Sequence, residues 1–209
     1  MTTICWDVDT QADFIHPDGA LAVPGAEAIV PQLRRLTEWA HRTQTRVVAT
    51  ADDHDLGHAE ISNHPDRLTT YPPHCMRGTP GQEKIPATLL HDPLIIHAVP
   101  HDPAGLSQAV REHRGDILLN KPGVDVFRWN PNAATVLAAL NPARIVIYGV
   151  ATDVCVLAAV NGMSRLAPNA ELVIVRDAVR ALNDATGCTL LADWVVRGAL
   201  LMTAAEITE

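Results

Sequence analysis

Short, continuous apolar runs recur along the chain at Ile4–Asp9, Arg46–Thr50, Leu94–Val99, Asp116–Asn120, Arg144–Val150 and Glu171–Arg176. They lack the strict alternation of a half-solvated strand and fit strands covered on both faces in a parallel sheet. Between them the period changes to that of helices. Ile29, Leu33, Leu36 and Ala40 mark one face of a helix over Ala26–Arg42, and Gly105–His113, Ala133–Leu140, Cys155–Leu166 and Ala185–Val196 read as further helices. Strand–helix alternation predicts an α/β fold: one domain over 1–209, three layers (α/β/α), with a mainly parallel six-stranded sheet. Ala199–Thr203 has the composition of a short terminal strand outside those six.

One stretch breaks the pattern. From Asp52 to about Pro93 roughly forty residues run without strong periodicity, a length that inside a compact domain usually marks a functional segment. Seven of the ten histidines fall between His54 and His101, so this segment and its neighbours hold most of the imidazole available for chemistry.

Composition narrows the class. Apolar residues make up 47% of the chain, enough for a core, and the formal charge is −8, from 24 acidic and 16 basic side chains. That balance argues against nucleic acid as a partner, since neutralising phosphates needs a basic surface. No apolar run approaches the roughly 18 residues that cross a bilayer, so no membrane partner is expected. Asp7 follows the start too closely for a secretory h-region, and the four cysteines then read as reduced thiols of a cytoplasmic protein.

In open parallel sheets ligands bind beyond the carboxyl ends of the strands. Asp9 ends the first predicted strand, Asp52 and His54 follow the second, Lys121 the fourth and Cys155 the fifth. Cys155 closes the segment Ile145-Val-Ile-Tyr-Gly-Val-Ala-Thr-Asp-Val-Cys155, a strand, a tight turn and a helix start. There the helix dipole favours thiolate, and free N–H groups can receive an oxyanion; a small buried hydrophobe is the alternative. Cys5 and Cys188 read as core, and Cys75 lies in the irregular segment. A cysteine nucleophile needs a proton acceptor. No histidine follows Cys155, and Asp9 is the better placed base, with Lys121 to hold charge beside it. Asp52-x-His54-x-x-x-His58, with His74 sixteen residues beyond His58, offers carboxylate and imidazole ligands suited to Zn²⁺, Fe²⁺ or Mn²⁺, or else is a solvated polar loop.

These residues resemble a known family. Asp9-Thr-Gln-Ala-Asp-Phe14 with Gly19-Ala-Leu-Ala-Val-Pro-Gly25 is similar to the opening signature of the isochorismatase-like cysteine hydrolases. Tyr71-Pro-Pro-His-Cys-Met-Arg-Gly-Thr-Pro-Gly81 resembles the corresponding nicotinamidase segment, and Gly149-Val-Ala-Thr-Asp-Val-Cys155 the family's nucleophile motif. The resemblance implies the isochorismatase-like hydrolase fold and a catalytic triad of Asp9, Lys121 and Cys155. It implies a cis peptide between Val150 and Ala151, which aims the N–H groups of Ala151 and Cys155 at an oxyanion. It also implies a divalent metal, zinc first with iron or manganese as alternatives, on Asp52, His54 and His74, with His58 as a candidate fourth ligand; Glu60, where the chain differs from the usual nicotinamidase loop, is the alternative to His58. Phe14 and Tyr71 would then enclose the ring of a small amide substrate, which is cleaved through a thioester with release of ammonia. An amidase for another small substrate (carbamoyl, ureido or isochorismate-like) with a vacant metal loop is the alternative, and a homo-oligomer is left open. Position 71 is Tyr where nicotinamidases usually carry Trp. Asp7 stands where the family more often has an apolar residue; on an interior strand it shares a side with Asp9 and is expected to be buried and hydrogen-bonded beside Lys121 or the histidine loop.

Overall fold

A computed structural model describes residues 2–66 and 68–209. Seven strands, β1 (Thr3–Val8), β2 (Arg46–Asp52), β3 (Leu94–Ile96), β4 (Ile117–Lys121), β5 (Arg144–Val150), β6 (Glu171–Arg180) and β7 (Leu200–Met202), form one sheet in the order β3-β4-β2-β1-β5-β6-β7. Every pairing is parallel. The sheet is therefore larger than the six strands expected, because the short segment near the C-terminus does add an edge strand, and it is wholly rather than mainly parallel.

Among the described residues eight α-helices accompany the sheet: α1 (Ala12–Ile15), α2 (Val30–Arg42), α3 (Pro103–Glu112), α4 (Val126–Trp129), α5 (Ala133–Leu140), α6 (Leu157–Leu166), α7 (Asp184–Val196) and α8 (Ala204–Thr208). Along β1, Ile4, Trp6 and Val8 face a core shared with α3, α5 and α6, while Cys5 faces a second core built with α2 and α8. Two apolar layers on one strand explain why β1 reads as a continuous apolar run. The predicted helix over Ala26–Arg42 is a 3₁₀ turn at Ala26–Ile29 followed by α2. The predicted helix from Cys155 starts instead with a π turn over Thr152–Val156, and α6 begins at Leu157. No helix among the described residues is long and apolar enough to cross a membrane.

Two expectations are corrected. Cys188, read as core, is exposed on α7. That helix carries Leu190, Leu191, Val195 and Val196 around most of its circumference, so its sequence does not single out an inner face. Asp7 is fully buried and hydrogen-bonded, but its partners are Lys84 and Thr10 rather than Lys121 or the histidine loop.

Candidate active site

The carboxyl ends of β1, β2, β4 and β5 meet at one point above the sheet. Asp9 sits one residue past β1 with φ +48, a left-handed conformation that Asp tolerates better than most side chains. Beside it β5 passes so closely that a Cβ on Gly149 would lie 2.0 Å from the Val8 carbonyl oxygen. Glycine at 149, with φ +114, is therefore required for β5 to deliver the nucleophile turn next to Asp9. The peptide between Val150 and Ala151 is cis.

Lys121 is the hub. Its ammonium, almost wholly buried, lies 3.0 Å from Asp9 Oδ2, bonds Asp52 Oδ1 and stands 3.6 Å from Cys155 Sγ. Burial alone would lower its pKa, but the two carboxylates outweigh burial and hold it well above the ordinary lysine value. Asp9 Oδ1 accepts from Thr50 Oγ1 at 2.6 Å, while Oδ2 accepts no directed hydrogen bond among the described residues. That oxygen is open to a proton. Burial raises the Asp9 pKa despite Lys121. The Cys155 thiol is also pushed well up by burial, and Lys121 only partly offsets this. The helix-dipole expectation of a lowered thiol pKa is therefore overturned: Cys155 lies inside the π turn and out of water, and desolvation of a thiolate dominates.

Asp52 faces two ways. Burial would raise its pKa, but the Lys121 charge and the neighbouring imidazoles of His54 and His74 hold it well below the usual carboxylate range. Its Oδ2 lies 3.5 Å from His54 Nε2 and 3.5 Å from His74 Nε2. With Glu60, these residues offer four ligand atoms within 4.8 Å of one another. Metal–ligand bonds of about 2.1 Å in a tetrahedron put ligand atoms about 3.4 Å apart, so the observed spacing fits an ion. Two further observations agree. His54 Nε2 is buried without a hydrogen bond among the described residues, and His74 Nδ1 lies 2.8 Å from the Pro72 carbonyl, which fixes its Nε2 as the free lone pair. His58 stands outside this group. It is half-exposed, with Nε2 3.3 Å from Asp55 Oδ2 and Nδ1 3.4 Å from His54 Nδ1. Of the two candidates for a fourth ligand, Glu60 is the one the fold turns inward.

A largely apolar cavity opens over Cys155, walled by Phe14, Leu21, Tyr71, Val124, Val154 and Leu182, with Asp52, Glu60 and His74 at one end. Phe14 and Tyr71 each set a ring against His74, at centroid distances of 5.4 Å and 6.1 Å.

Several supporting residues lay inside the quoted motifs without a role attached. The Gln11 amide clamps the Asp52 peptide, donating to its carbonyl at 2.8 Å and accepting from its N–H at 2.7 Å. Asp13 accepts from the Cys75 N–H at 2.7 Å, and Asp153 accepts from the N–H groups of Leu182 and Asn183 at 2.8 Å and 2.9 Å. These bonds tie the loops around the cavity to the strand ends.

Comparison with known proteins gives the chain its family. Residues 99–206 match the family described as the isochorismatase domain. The nicotinamidase/pyrazinamidase of Mycobacterium tuberculosis is 32% identical over 153 residues, 71% of this chain and 72% of that protein. The nicotinamidase of Escherichia coli is 27% identical over 222 residues, covering 90% and 94%. In fold, the pyrazinamidase of Pyrococcus horikoshii, solved in complex with zinc, superposes with a TM-score of 0.73 at 24% identity, covering 97% of this chain and 99% of that one.

Proposed function

The chain belongs to the isochorismatase-like hydrolase family, in its nicotinamidase-like branch, and from that premise we propose that it is a cysteine amidohydrolase that cleaves a small, neutral, nicotinamide-like carboxamide through a thioester. One observation carries the reading: Asp9 and Cys155 converge on the Lys121 ammonium, and Cys155 lines a largely apolar cavity that Asp52, Glu60 and His74 also line.

Each residue then has a task. The open Oδ2 of Asp9 accepts the Cys155 proton as the sulfur attacks the carboxamide carbon. Lys121 neutralises the charge that passes between thiol and carboxyl. The N–H groups of Ala151 and Cys155 hold the oxyanion, each well-aimed donor contributing about 3 kcal/mol. As the C–N bond breaks, protonated Asp9 returns its proton to the leaving nitrogen, and ammonia departs. Water then gives a proton to Asp9 and its hydroxyl to the acyl carbon; as the C–S bond breaks, Asp9 passes that proton to the departing sulfur, releasing the carboxylic acid and restoring the thiol and the Asp9 carboxylate. Phe14 and Tyr71 stack against the planar substrate. Asp52, His54, Glu60 and His74 would hold a divalent cation, zinc on the character of the donor set, with His58 outside it. When bound, that ion would supply Lewis acidity at the wall of the cavity that Asp52, Glu60 and His74 line. We read the chain over 1–209 as one domain.

The cavity itself disfavours the alternative substrates. Its described walls carry no arginine or lysine to receive a second carboxylate. Ureido acids and isochorismate-like anions therefore fit less well than an uncharged heteroaromatic amide, and the convergent ligand set does not resemble a vacant loop. Ammonia release from nicotinamide, pyrazinamide and a ureido acid decides between them. Turnover of the first two and not the third is expected; turnover of the ureido acid alone would overturn the substrate assignment.

A further inference from the structure

A second acid–ammonium pair lies two residues behind the catalytic one. Asp7 Oδ2 is 2.9 Å from Lys84 Nζ, and both side chains are buried. Resting on the amidohydrolase reading above, we propose that Asp7 and Lys84 are positioning residues for Asp9, acting through the hydroxyl of Thr10.

The hydrogen-bond accounting at Thr10 supports this. Its Oγ1 donates its one proton to Asp7 Oδ1 at 2.8 Å, so its two lone pairs are left for Lys84 Nζ at 2.7 Å and Thr88 Oγ1 at 2.7 Å. Every direction around the oxygen is used, and the side chain has one place to sit. The backbone is held as well. Ile85 N–H donates to the Thr10 carbonyl at 3.0 Å, and Ala12 N–H to the Glu83 carbonyl at 2.8 Å. Thr10 is thus pinned to the 83–88 segment immediately after Asp9, the residue whose backbone adopts φ +48 and whose carbonyl accepts from Gln11 N–H at 2.8 Å.

Two buried charges are a poor source of net stability, because desolvation offsets their attraction. Directional constraint is what such a pair supplies. Here the constraint falls on the turn that aims the Asp9 carboxylate, which accepts from Thr50 Oγ1 and lies 3.0 Å from Lys121 Nζ, the ammonium that stands 3.6 Å from Cys155 Sγ. Asp7, Lys84 and Thr10 act on the reaction only through Asp9.

The test combines turnover with the rate of Cys155 alkylation by iodoacetamide, in a Cys188→Ser background that removes the exposed thiol. Alkylation needs the Asp9–Cys155 proton transfer but no amide substrate, so its outcome stands apart from the substrate reading. Asp7→Asn, Lys84→Met and the isosteric Thr10→Val are each expected to lower kcat and the alkylation rate together by about tenfold or more, with KM within about twofold of wild type. Thr10→Ser, which restores the hydroxyl, rescues both rates. A folded Thr10→Val protein with unchanged kcat and alkylation rate would overturn the proposal, as would a loss confined to KM. If Asp7→Asn does not fold, the Thr10 pair of variants decides alone. Absence of amide turnover by the wild-type chain would remove the amidohydrolase reading and leave the alkylation comparison intact.

Discussion

Asp52 and Lys121 are bonded through a single carboxylate oxygen, and the other oxygen of Asp52 turns toward His54 and His74. One side chain therefore joins the pair of imidazoles to the lysine that stands 3.6 Å from Cys155 Sγ. The ammonium of Lys121 lies between two buried carboxylates, those of Asp52 and Asp9, and is the charge that lets both ionise in one place.

Removing that cation should destabilise the fold as well as the reaction. Lys121→Met leaves Asp9 and Asp52 facing each other without their shared counter-ion, and a broken buried pair costs about 3–5 kcal/mol. Urea unfolding is expected to record that loss, and Lys121→Met/Asp9→Asn to recover part of it, since the double change removes one of the two charges. Equal stability of Lys121→Met and wild type would mean that the carboxylates are not both charged.

Metal content separates the candidate ligands. His54→Ala and Glu60→Gln are expected to lower bound zinc, iron or manganese, measured by elemental analysis after purification without chelators, and to lose activity with it. His58→Ala should keep its metal, because His58 lies outside the ligand group beside Asp55. The reverse pattern would restore His58 as the fourth ligand.

The pH profile follows from the direction of the Asp9 shift. Asp9 acts as a base only when unprotonated, and burial raises its pKa above the ordinary aspartate value. The acid limb of kcat/KM should therefore lie above about 3.9, with the rate rising about tenfold per pH unit below the midpoint and levelling above it. Asp9→Asn is expected to remove most of the turnover together with that limb. A limb at the ordinary aspartate value would show that burial does not govern this carboxyl.

Phe14 tests the substrate wall. Truncating a buried aromatic that encloses a ring removes contact made in ground state and transition state alike, so Phe14→Ala should raise KM for nicotinamide by about tenfold with a smaller change in kcat. Steady-state kinetics decide it, and a fall in kcat alone would assign Phe14 to the chemistry instead.

The interior strands were legible because β1, β2 and β5 are covered on both faces and leave an uninterrupted apolar run in the sequence. Reactive groups at the strand ends were legible for the same reason, since the ends of such runs locate the ligand edge of a parallel sheet. One-turn helices such as α1 and α4 are too short to show a period. The choice between His58 and Glu60 was not legible either: they are two residues apart, and which one turns inward depends on Asp55 capturing His58. The Asp7–Lys84 contact joins residues far apart in the chain, and a buried aspartate announces that it needs a partner without saying which. The thiol pKa was misjudged because the dipole of a nearby helix is a local property, whereas burial of Cys155 is set by the whole fold.

A covalent acyl intermediate on Cys155 is what separates this chemistry from direct attack by water. Intact-mass spectrometry of an acid-quenched reaction with nicotinamide should show the chain heavier by one nicotinoyl group, with peptide mapping assigning the adduct to Cys155, and Cys155→Ala should give neither adduct nor ammonia. Appreciable ammonia release by folded Cys155→Ala would contradict it.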